Sequence, residues 1–152
     1  MPSRDNLHDL LNALIWLSFP RIKQQLNALQ ARQIALAGVG QARGAVRDAL
    51  TLFDENAAIV VVREGAAGEA LAQALRQHDW HSLFVQQQAA FGQTLQVVLF
   101  GHALLEKLCA PYKAITAHVW LVWADAAFFA ASASEQQAWI DCLLYTSDAA
   151  DD

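Results

Sequence analysis

Apolar and polar residues alternate at helical spacing near the start of the chain. Between residues 6 and 18 the apolar positions are Leu7, Leu10, Leu11, Leu14, Ile15 and Leu17. Because they recur every three or four residues, they predict an amphipathic helix. The opposite side of that helix carries His8, Asp9, Asn12 and Trp16. A solvated helix face seldom carries tryptophan, so we expect this side to contact another segment, a ligand or native sequence that this chain lacks.

A second helix is predicted to begin at Pro20 and to pack against the first, because proline suits the first turn of a helix. Its buried stripe is formed by Ile22, Leu26, Leu29 and Ile34. The glycine-containing stretch 38–48 ends this helix and has the composition of a loop. Two β-rich runs follow within residues 50–62, on either side of the polar segment 54–56. They predict a hairpin.

The remaining pattern mixes helices and strands. Helices are predicted at 67–77, at 102–110 and in the Ala-rich sequence after Asp125, and strands at 94–100 and 115–123. The two strands and the helix between them would form a βαβ unit with parallel pairing. We therefore predict an α/β or α+β fold in a single domain, with a mixed sheet of about four strands covered by helices.

The end of the chain differs from the sequence before it. Residues 142–152, CLLYTSDAADD, share no period with the preceding helix pattern. The DNA that would encode them resembles an adapter used in sequencing libraries, so we interpret this segment as a non-native tail and exclude it from fold prediction. Residues 1–141 are then predicted to be one globular domain and a fragment of a longer protein.

Composition indicates a compact body with much sequestered surface, or one that lacks a partner, because 55% of the residues are hydrophobic and 16% are charged. Without the three acids of the tail, the chain has 10 basic and 12 acidic residues, and the net charge changes from −5 to −2. A near-neutral body without a basic stripe argues against nucleic acid and anionic membranes as partners. We expect a protein partner or a missing native segment on the apolar surface.

Cysteine usage and the apolar runs bear on location. Cys109 is the only cysteine outside the tail, which fits a reducing cytoplasm. The start of the chain lacks the apolar core of a signal peptide. The longest apolar run, 115–133, contains His118 and Asp125, so we do not expect it to span a membrane. The predicted location is cytoplasmic.

One stretch, residues 100–118, places His102, Glu106 and His118 among apolar residues. On a helix at about 100° per residue, His102 and Glu106 stand about 40° apart and share a face. With His118 or a carboxylate from Asp54 or Glu55 as a third ligand, they would hold a divalent metal. Without metal, His102, Glu106 and His118 would act as catalytic acid and base, because histidine changes charge near neutral pH. A divalent metal is the cofactor that these residue types suggest, and the sequence does not identify it.

Each of these residues also has a structural interpretation. A His and Glu pair four positions apart contributes only a few tenths of a kcal/mol to a helix. His118 would serve as a hydrogen-bonded core histidine. Arg47 and Asp48, with Asp54 and Glu55, frame the predicted hairpin and would form salt bridges and turn contacts there. The usual motifs of nucleotide-binding proteins, serine hydrolases and zinc fingers do not occur in the sequence.

Several blocks of sequence resemble a known family. They are NALIWLSFPRIK at 12–23, RDALTLFDEN at 47–56, FGHALLEKL at 100–108, PYK at 111–113 and TAH at 116–118. In this order they resemble a bacterial family catalogued as domain of unknown function 3025, over roughly residues 5–125. The resemblance implies a soluble bacterial protein, longer than this chain, and supplies no catalytic residue. The chain departs from the family pattern at Ala57, where glycine is expected.

Two functions follow from these observations. The first is a binding or scaffolding domain, because the chain is rich in apolar residues, carries tryptophan on a polar helix side and lacks the common catalytic motifs. The second is a small metal-assisted hydrolase that uses the His102, Glu106 and His118 cluster.

Overall fold

The computed structural model describes residues 6–37 and 44–144. Its helices are α1 Leu7–Ser18, α2 Pro20–Ala37, α3 Ala45–Asn56, α4 Ala66–Arg76, α5 His102–Leu108, α6 Ala126–Ala130 and α7 Ala133–Asp141. Its strands are β1 Ala57–Arg63, β2 Leu95–Leu99 and β3 His118–Ala124. A π-helical turn at Ser82–Gln86 and a 3-10 turn at Gln88–Ala90 precede β2. The fold is α+β and mainly helical, and its mixed sheet has three strands in the described chain, not the four predicted.

The chain forms two compact units, each built from separated stretches of sequence. The first unit comprises Met1–Ala57, Phe100–His118 and Gln137–Asp152, and the second comprises Ala58–Leu99 and Val119–Gln136. In the first unit, α1 and α3 each pack against both α2 and α5. The chain passes between the units at several points, so the prediction of one domain over 1–141 stays a prediction. Of the predicted tail, only residues 142–144 belong to the described part of the chain.

The predicted hairpin at 50–62 is wrong, because residues 45–56 form α3. Of the predicted loop at 38–48, residues 38–43 lie outside the described part of the chain. Leu50 and Phe53, which we assigned to a strand, are three positions apart and therefore also fit a helix. The ring of Phe53 lies 5.2 Å from that of Phe100, measured between centroids. This packing favours the helical alternative.

The strand β1 occupies the centre of the sheet, in the order β2-β1-β3. It pairs antiparallel with β2, with Ala58 opposite Leu99 and Val62 opposite Leu95. The predicted βαβ unit with parallel pairing of 94–100 and 115–123 is therefore wrong, because β1 lies between these strands. The first six residues of β1 are all buried, which explains their unbroken apolar sequence.

The core of the second unit forms where β1 and β2 meet α4 and the π-helical turn. Its buried residues are Val60, Val62, Leu71, Ala74, Leu83 and Leu95. The predicted helix at 67–77 and the predicted strand at 94–100 are thus confirmed by α4 and β2. Valine and leucine dominate this cluster, as hydrophobic burial on a sheet face requires.

The helix α1 is confirmed, but its buried side is not the leucine-rich one. Ile15 is 4% exposed and Phe19, just after the helix, is 6% exposed. The leucines on the other side are largely exposed, whereas His8, Asn12 and Trp16 are half-buried. The apolar spacing therefore predicts the helix correctly, and the side on which we expected a contact, because it carries Trp16, is more buried than the leucine side.

The helix α2 buries Ile22 and Leu26 as predicted, and exposes Ile34. Its first turn is capped from a distant part of the chain. The carboxylate of Asp141, in α7, accepts hydrogen bonds from the backbone N–H groups of Arg21 at 3.0 Å and Ile22 at 3.1 Å. A carboxylate at a helix N-terminus satisfies free N–H groups and is favoured by the helix dipole. No helix in the described ranges is both long and apolar enough to cross a membrane.

Candidate functional site

The start of α5 is placed by an unusually close backbone contact. Gly101 precedes the helix, and its N–H donates to the carbonyl of Ala57 at 2.8 Å. A Cβ atom at this position would lie 2.5 Å from the carbonyl oxygen of Glu55 and 2.6 Å from the nitrogen of Ala57. Only glycine allows this approach. It brings His102 against the end of α3.

His102 is buried and held by one hydrogen bond. The residue is 5% exposed, and Nδ1 of its ring lies 3.0 Å from the backbone oxygen of Asp54. A carbonyl oxygen can only accept, so Nδ1 donates and Nε2 of the neutral ring is the acceptor. Burial lowers the pKa of His102 below its ordinary value, and the carboxylate of Asp54 opposes this shift while Lys23 and His8 add to it. The ring is therefore kept neutral and fixed in one tautomer.

His8, from α1, forms a second imidazole beside it. Nδ1 of His8 lies 2.9 Å from Oε2 of Glu106, and both side chains are a little under half exposed. An ionised carboxylate only accepts, so His8 donates this hydrogen bond. The ring of His8 meets that of His102 edge to face, with centroids 4.6 Å apart. The partly exposed pair of His8 and Glu106 thus lies directly beside the buried, neutral ring of His102.

An ion pair between Lys23 and Asp54, whose side chains are 4% and 25% exposed, supports His102 through Asp54. The ammonium of Lys23, a residue only 3% exposed, donates to the carboxylate of Asp54 at 2.5 Å and to the side-chain oxygen of Asn12 at 2.8 Å. It also lies 5.5 Å from the ring centre of Trp16. A buried ammonium is tolerated only when it is paired and hydrogen-bonded. These contacts fix Asp54, whose backbone oxygen in turn orients His102.

We call this arrangement the polar cluster. Its members are His8, Asn12, Lys23, Asp54, His102 and Glu106, and all belong to the first unit. A carboxylate that orients an imidazole is a common arrangement for moving protons, and clustered ionisable groups with a perturbed pKa are typical of functional sites. The polar cluster is therefore a candidate functional site.

The structure brings together three of the four predicted site residues, though not in the predicted way. His102, Glu106 and Asp54 all belong to the polar cluster, and His8 contacts both His102 and Glu106. His118 is exposed at the first residue of β3. Within the described ranges, no group of three or more His, Cys, Asp or Glu side chains is arranged to hold a metal ion. The metal-binding role of these residues stays a prediction.

The other predicted surface residues have separate roles. Trp16 lies against Lys23, as the expectation of contact on this side of α1 requires. The backbone N–H of Asp9 donates to Asn6, which caps α1. Arg47 and Asp48 belong to the first turn of α3, where an acidic side chain is favourable for the helix dipole.

Sequence reasoning did not identify Lys23. It follows Ile22 of the buried stripe of α2, and a lysine at such a border is usually expected to extend its ammonium into water. The one available indication was its position three residues after Pro20, in a segment that also holds Asn12 and Trp16. Nothing in the sequence connects Lys23 with Asp54.

The opposite side of α1 carries a second candidate surface, which we call the leucine face. It consists of Leu7, Leu10, Leu14 and Leu17, which are 46%, 56%, 47% and 78% exposed. On a helix of about 100° per residue these four residues lie within about 80° of one another. One helix therefore supplies the polar cluster on its inner side and an apolar surface on its outer side.

The chain matches a known protein family. A family model described as "Protein of unknown function (DUF3025)" matches residues 1–151. Searches of curated proteins and of solved structures found no match. Three of the blocks that carry the resemblance, at 12–23, 47–56 and 100–108, supply every residue of the polar cluster except His8.

Proposed function

The chain belongs to the DUF3025 family of proteins of unknown function, and we propose that it is a binding domain that docks a partner on the leucine face of α1. The observation that carries this proposal is the exposure of four leucines on one side of a single helix. Isolated surface leucines are normal, but a row of them is typical of an interaction surface.

The inner side of α1 strengthens the proposal. His8 contacts Glu106 and Asn12 contacts Lys23, while Ile15 is buried. Turning the helix to bury its leucines would break these contacts and leave the ammonium of Lys23 with fewer partners, which is costly in a buried site. The leucine face is thus held outward by the structure of the first unit.

A dye that fluoresces on exposed apolar surface tests this proposal. We expect the wild-type protein at about 1 μM, a concentration that disfavours weak association, to bind the dye. The double variant Leu10→Glu/Leu14→Glu should bind less dye than the wild type, because it removes the centre of the face. Leu36→Glu is the matched control, since Leu36 is 81% exposed on α2 and stands outside the face. Equal dye binding by the wild type and the double variant would contradict the proposal.

A second candidate function is a small hydrolase at the polar cluster. It is favoured by the neutral, oriented ring of His102 beside a histidine that donates to Glu106. In the metal-assisted version, His102, Glu106 and Asp54 of the polar cluster would bind a divalent cation, and the predicted ligand His118 would have to approach them from the start of β3.

Elemental analysis of purified protein tests the metal-assisted version. Bound divalent metal in the wild type, reduced at least about tenfold in His102→Ala, would support it, because an imidazole ligand contributes strongly to affinity. Equal metal content in the two proteins, or none in either, removes it.

A further inference from the structure

The two imidazoles of the polar cluster are held in the same way. His102 donates from Nδ1 to the backbone oxygen of Asp54 at 3.0 Å, and His8 donates from Nδ1 to the carboxylate of Glu106 at 2.9 Å. A neutral imidazole has one N–H, so Nε2 then carries a lone pair in both rings. An oxygen acceptor thus fixes both histidines in the same tautomer.

Neither Nε2 atom is used within the part of the protein that the structure describes. Over residues 6–37 and 44–144, Nε2 of His8 and Nε2 of His102 have no hydrogen-bond partner. In the same ranges, no side-chain nitrogen or oxygen that is shielded from solvent lacks a partner. Nε2 of His102 is therefore reachable from solvent, although the residue is only 5% exposed. An unpaired lone pair on a buried ring points to a ligand that accepts it.

The two rings lie close enough to act together. Their centroids are 4.6 Å apart and their planes are inclined at 78°. A metal ion that is bound by imidazoles lies about 2.0–2.1 Å from each nitrogen, so its ligands have to be direct neighbours. His102 is fixed by burial, whereas the side chain of His8 is 45% exposed and can adjust its ring. The pair thus provides two adjacent nitrogen ligands.

We propose that His8 and His102 bind a divalent transition-metal ion, such as Zn²⁺, through their two Nε2 atoms, with water at its remaining positions. The inference rests on the metal-assisted version of the second candidate function and names different ligands for it. His8 takes the place that the sequence assigned to His118. Glu106 and Asp54 hold the two rings instead of binding the ion directly.

The oxygen partners of the two rings support this assignment. A metal-binding histidine usually donates its other ring N–H to a carboxylate or a backbone carbonyl, which fixes the ring and strengthens metal binding. Glu106 supplies the carboxylate for His8, and Asp54 supplies the carbonyl for His102. Because burial lowers the pKa of His102, its ring is neutral near pH 7 and binds metal without first losing a proton.

Charge and ligand type indicate which ion fits. Lys23 is paired with Asp54, so Glu106 leaves the polar cluster with one net negative charge when both histidines are neutral. This charge favours a cation. Imidazole nitrogens suit Zn²⁺, Cu²⁺ and Ni²⁺, whereas Mg²⁺ and Ca²⁺ prefer oxygen ligands. No third His, Cys, Asp or Glu of the described residues completes the set, so we expect weaker binding than at a catalytic zinc site with three protein ligands.

Calorimetric titration of the 152-residue chain, without an affinity tag, with Zn²⁺ tests the inference. We expect one Zn²⁺ per wild-type protein, with a dissociation constant of about 100 μM or lower, and no binding of Mg²⁺. His8→Ala should weaken Zn²⁺ binding at least about tenfold, because it removes one of two ligands. His8→Asn should do the same while keeping an N–H donor for Glu106, so that the contact between α1 and α5 is preserved.

His118→Ala is the matched control. His118 is exposed at the first residue of β3 and is the ligand that the sequence predicted. The inference gives it no role at the ion, so this variant should bind Zn²⁺ as the wild type does. Circular dichroism of each variant checks that its fold is unchanged.

The outcomes separate this inference from the second candidate function. Zn²⁺ binding that is weakened in both His8 variants and kept in His118→Ala supports the inference. Equal binding by the wild type and the His8 variants, with weaker binding by His102→Ala, would overturn His8 as a ligand and leave the metal-assisted version standing. Equal weakening in His118→Ala and in the His8 variants would overturn it too. No Zn²⁺ binding by the wild type would overturn both, while the dye test of the leucine face would be unaffected.

Discussion

The neutral ring of His102 couples the stability of the protein to pH. Its pKa is lowered by burial, against an ordinary value of 6.5. Below pH 6.5 the unfolded imidazole binds a proton, while the folded one does not until the pH falls to its lower pKa. The unfolded state then binds more protons, so the free energy of unfolding decreases as the pH falls through this window.

We expect His102→Gln to remove this component of the pH dependence. Between about pH 7 and pH 5 the wild type should lose stability more steeply than the variant, by at most about 1.4 kcal/mol per pH unit. Urea denaturation at a series of pH values measures both slopes. His81→Gln, at an exposed histidine of the second unit, should keep the wild-type slope. Parallel curves for the wild type and His102→Gln would show that the ring is not kept neutral.

Sequence reasoning at the residue scale found candidate chemistry but not its partners. His102 and Glu106 share a face of α5, as their spacing predicts, yet the residue that contacts both is His8, far away in the sequence. Lys23 likewise meets Asp54 only because α2 and α3 pack together. Local spacing constrains neighbours within one helix, whereas these contacts depend on how helices pack.

At the scale of single elements, the junction before α5 depends on a glycine. Gly101→Ala would place a Cβ atom 2.5 Å from the oxygen of Glu55 and 2.6 Å from the nitrogen of Ala57, and neither backbone can move without disturbing α3 and β1. We expect the free energy of unfolding to fall by at least about 2 kcal/mol, because overpacked sites must shift to relieve the contact. Denaturation in urea measures this change.

Gly44→Ala is a matched control. Gly44 and Gly101 both precede a helix as its N-cap, and their φ angles of −73° and −65° suit any residue. A Cβ atom at Gly44 would meet no atom of the described residues within 4 Å. The control should therefore stay within about 1 kcal/mol of the wild type, since only capping and chain entropy change. Equal losses for the two variants would mean that the close contact at Gly101 is not the cause.

The elements that the sequence predicts well are those with one consistent period. The spacing in α1 and α4 fits a helix alone, and both helices lie within one residue of their predicted bounds. Residues 50–56 fit two periods, and tertiary packing of Phe53 on Phe100 decides between them. The family pattern leads us to expect glycine at Ala57, where it would have served the turn of the predicted hairpin. Ala57 instead begins β1 with an extended φ of −91°, so the departure strains nothing.

At the scale of the whole molecule, the order of the strands lay beyond sequence reasoning. The two strands at 94–100 and 115–123 were predicted to be neighbours because only a short helix separates them. The structure inserts β1 between them. Its six consecutive buried residues pack on both faces, a property of central strands that the run AAIVVV already carries. Because we assigned residues 50–62 to a hairpin, we did not recognise this run as a central strand.

This central position predicts where the protein is most resistant to local opening. Ile59, Val61 and Val62 are fully buried between two neighbouring strands, whereas the end of α2 is exposed, with Leu36 at 81%. Amide exchange requires that hydrogen bonds open, and buried central strands open last. Exchange followed by mass spectrometry should therefore show β1 amides exchanging at least about 100-fold more slowly than those of residues 31–36. Equal protection in both segments would contradict the placement of β1 at the centre of the sheet.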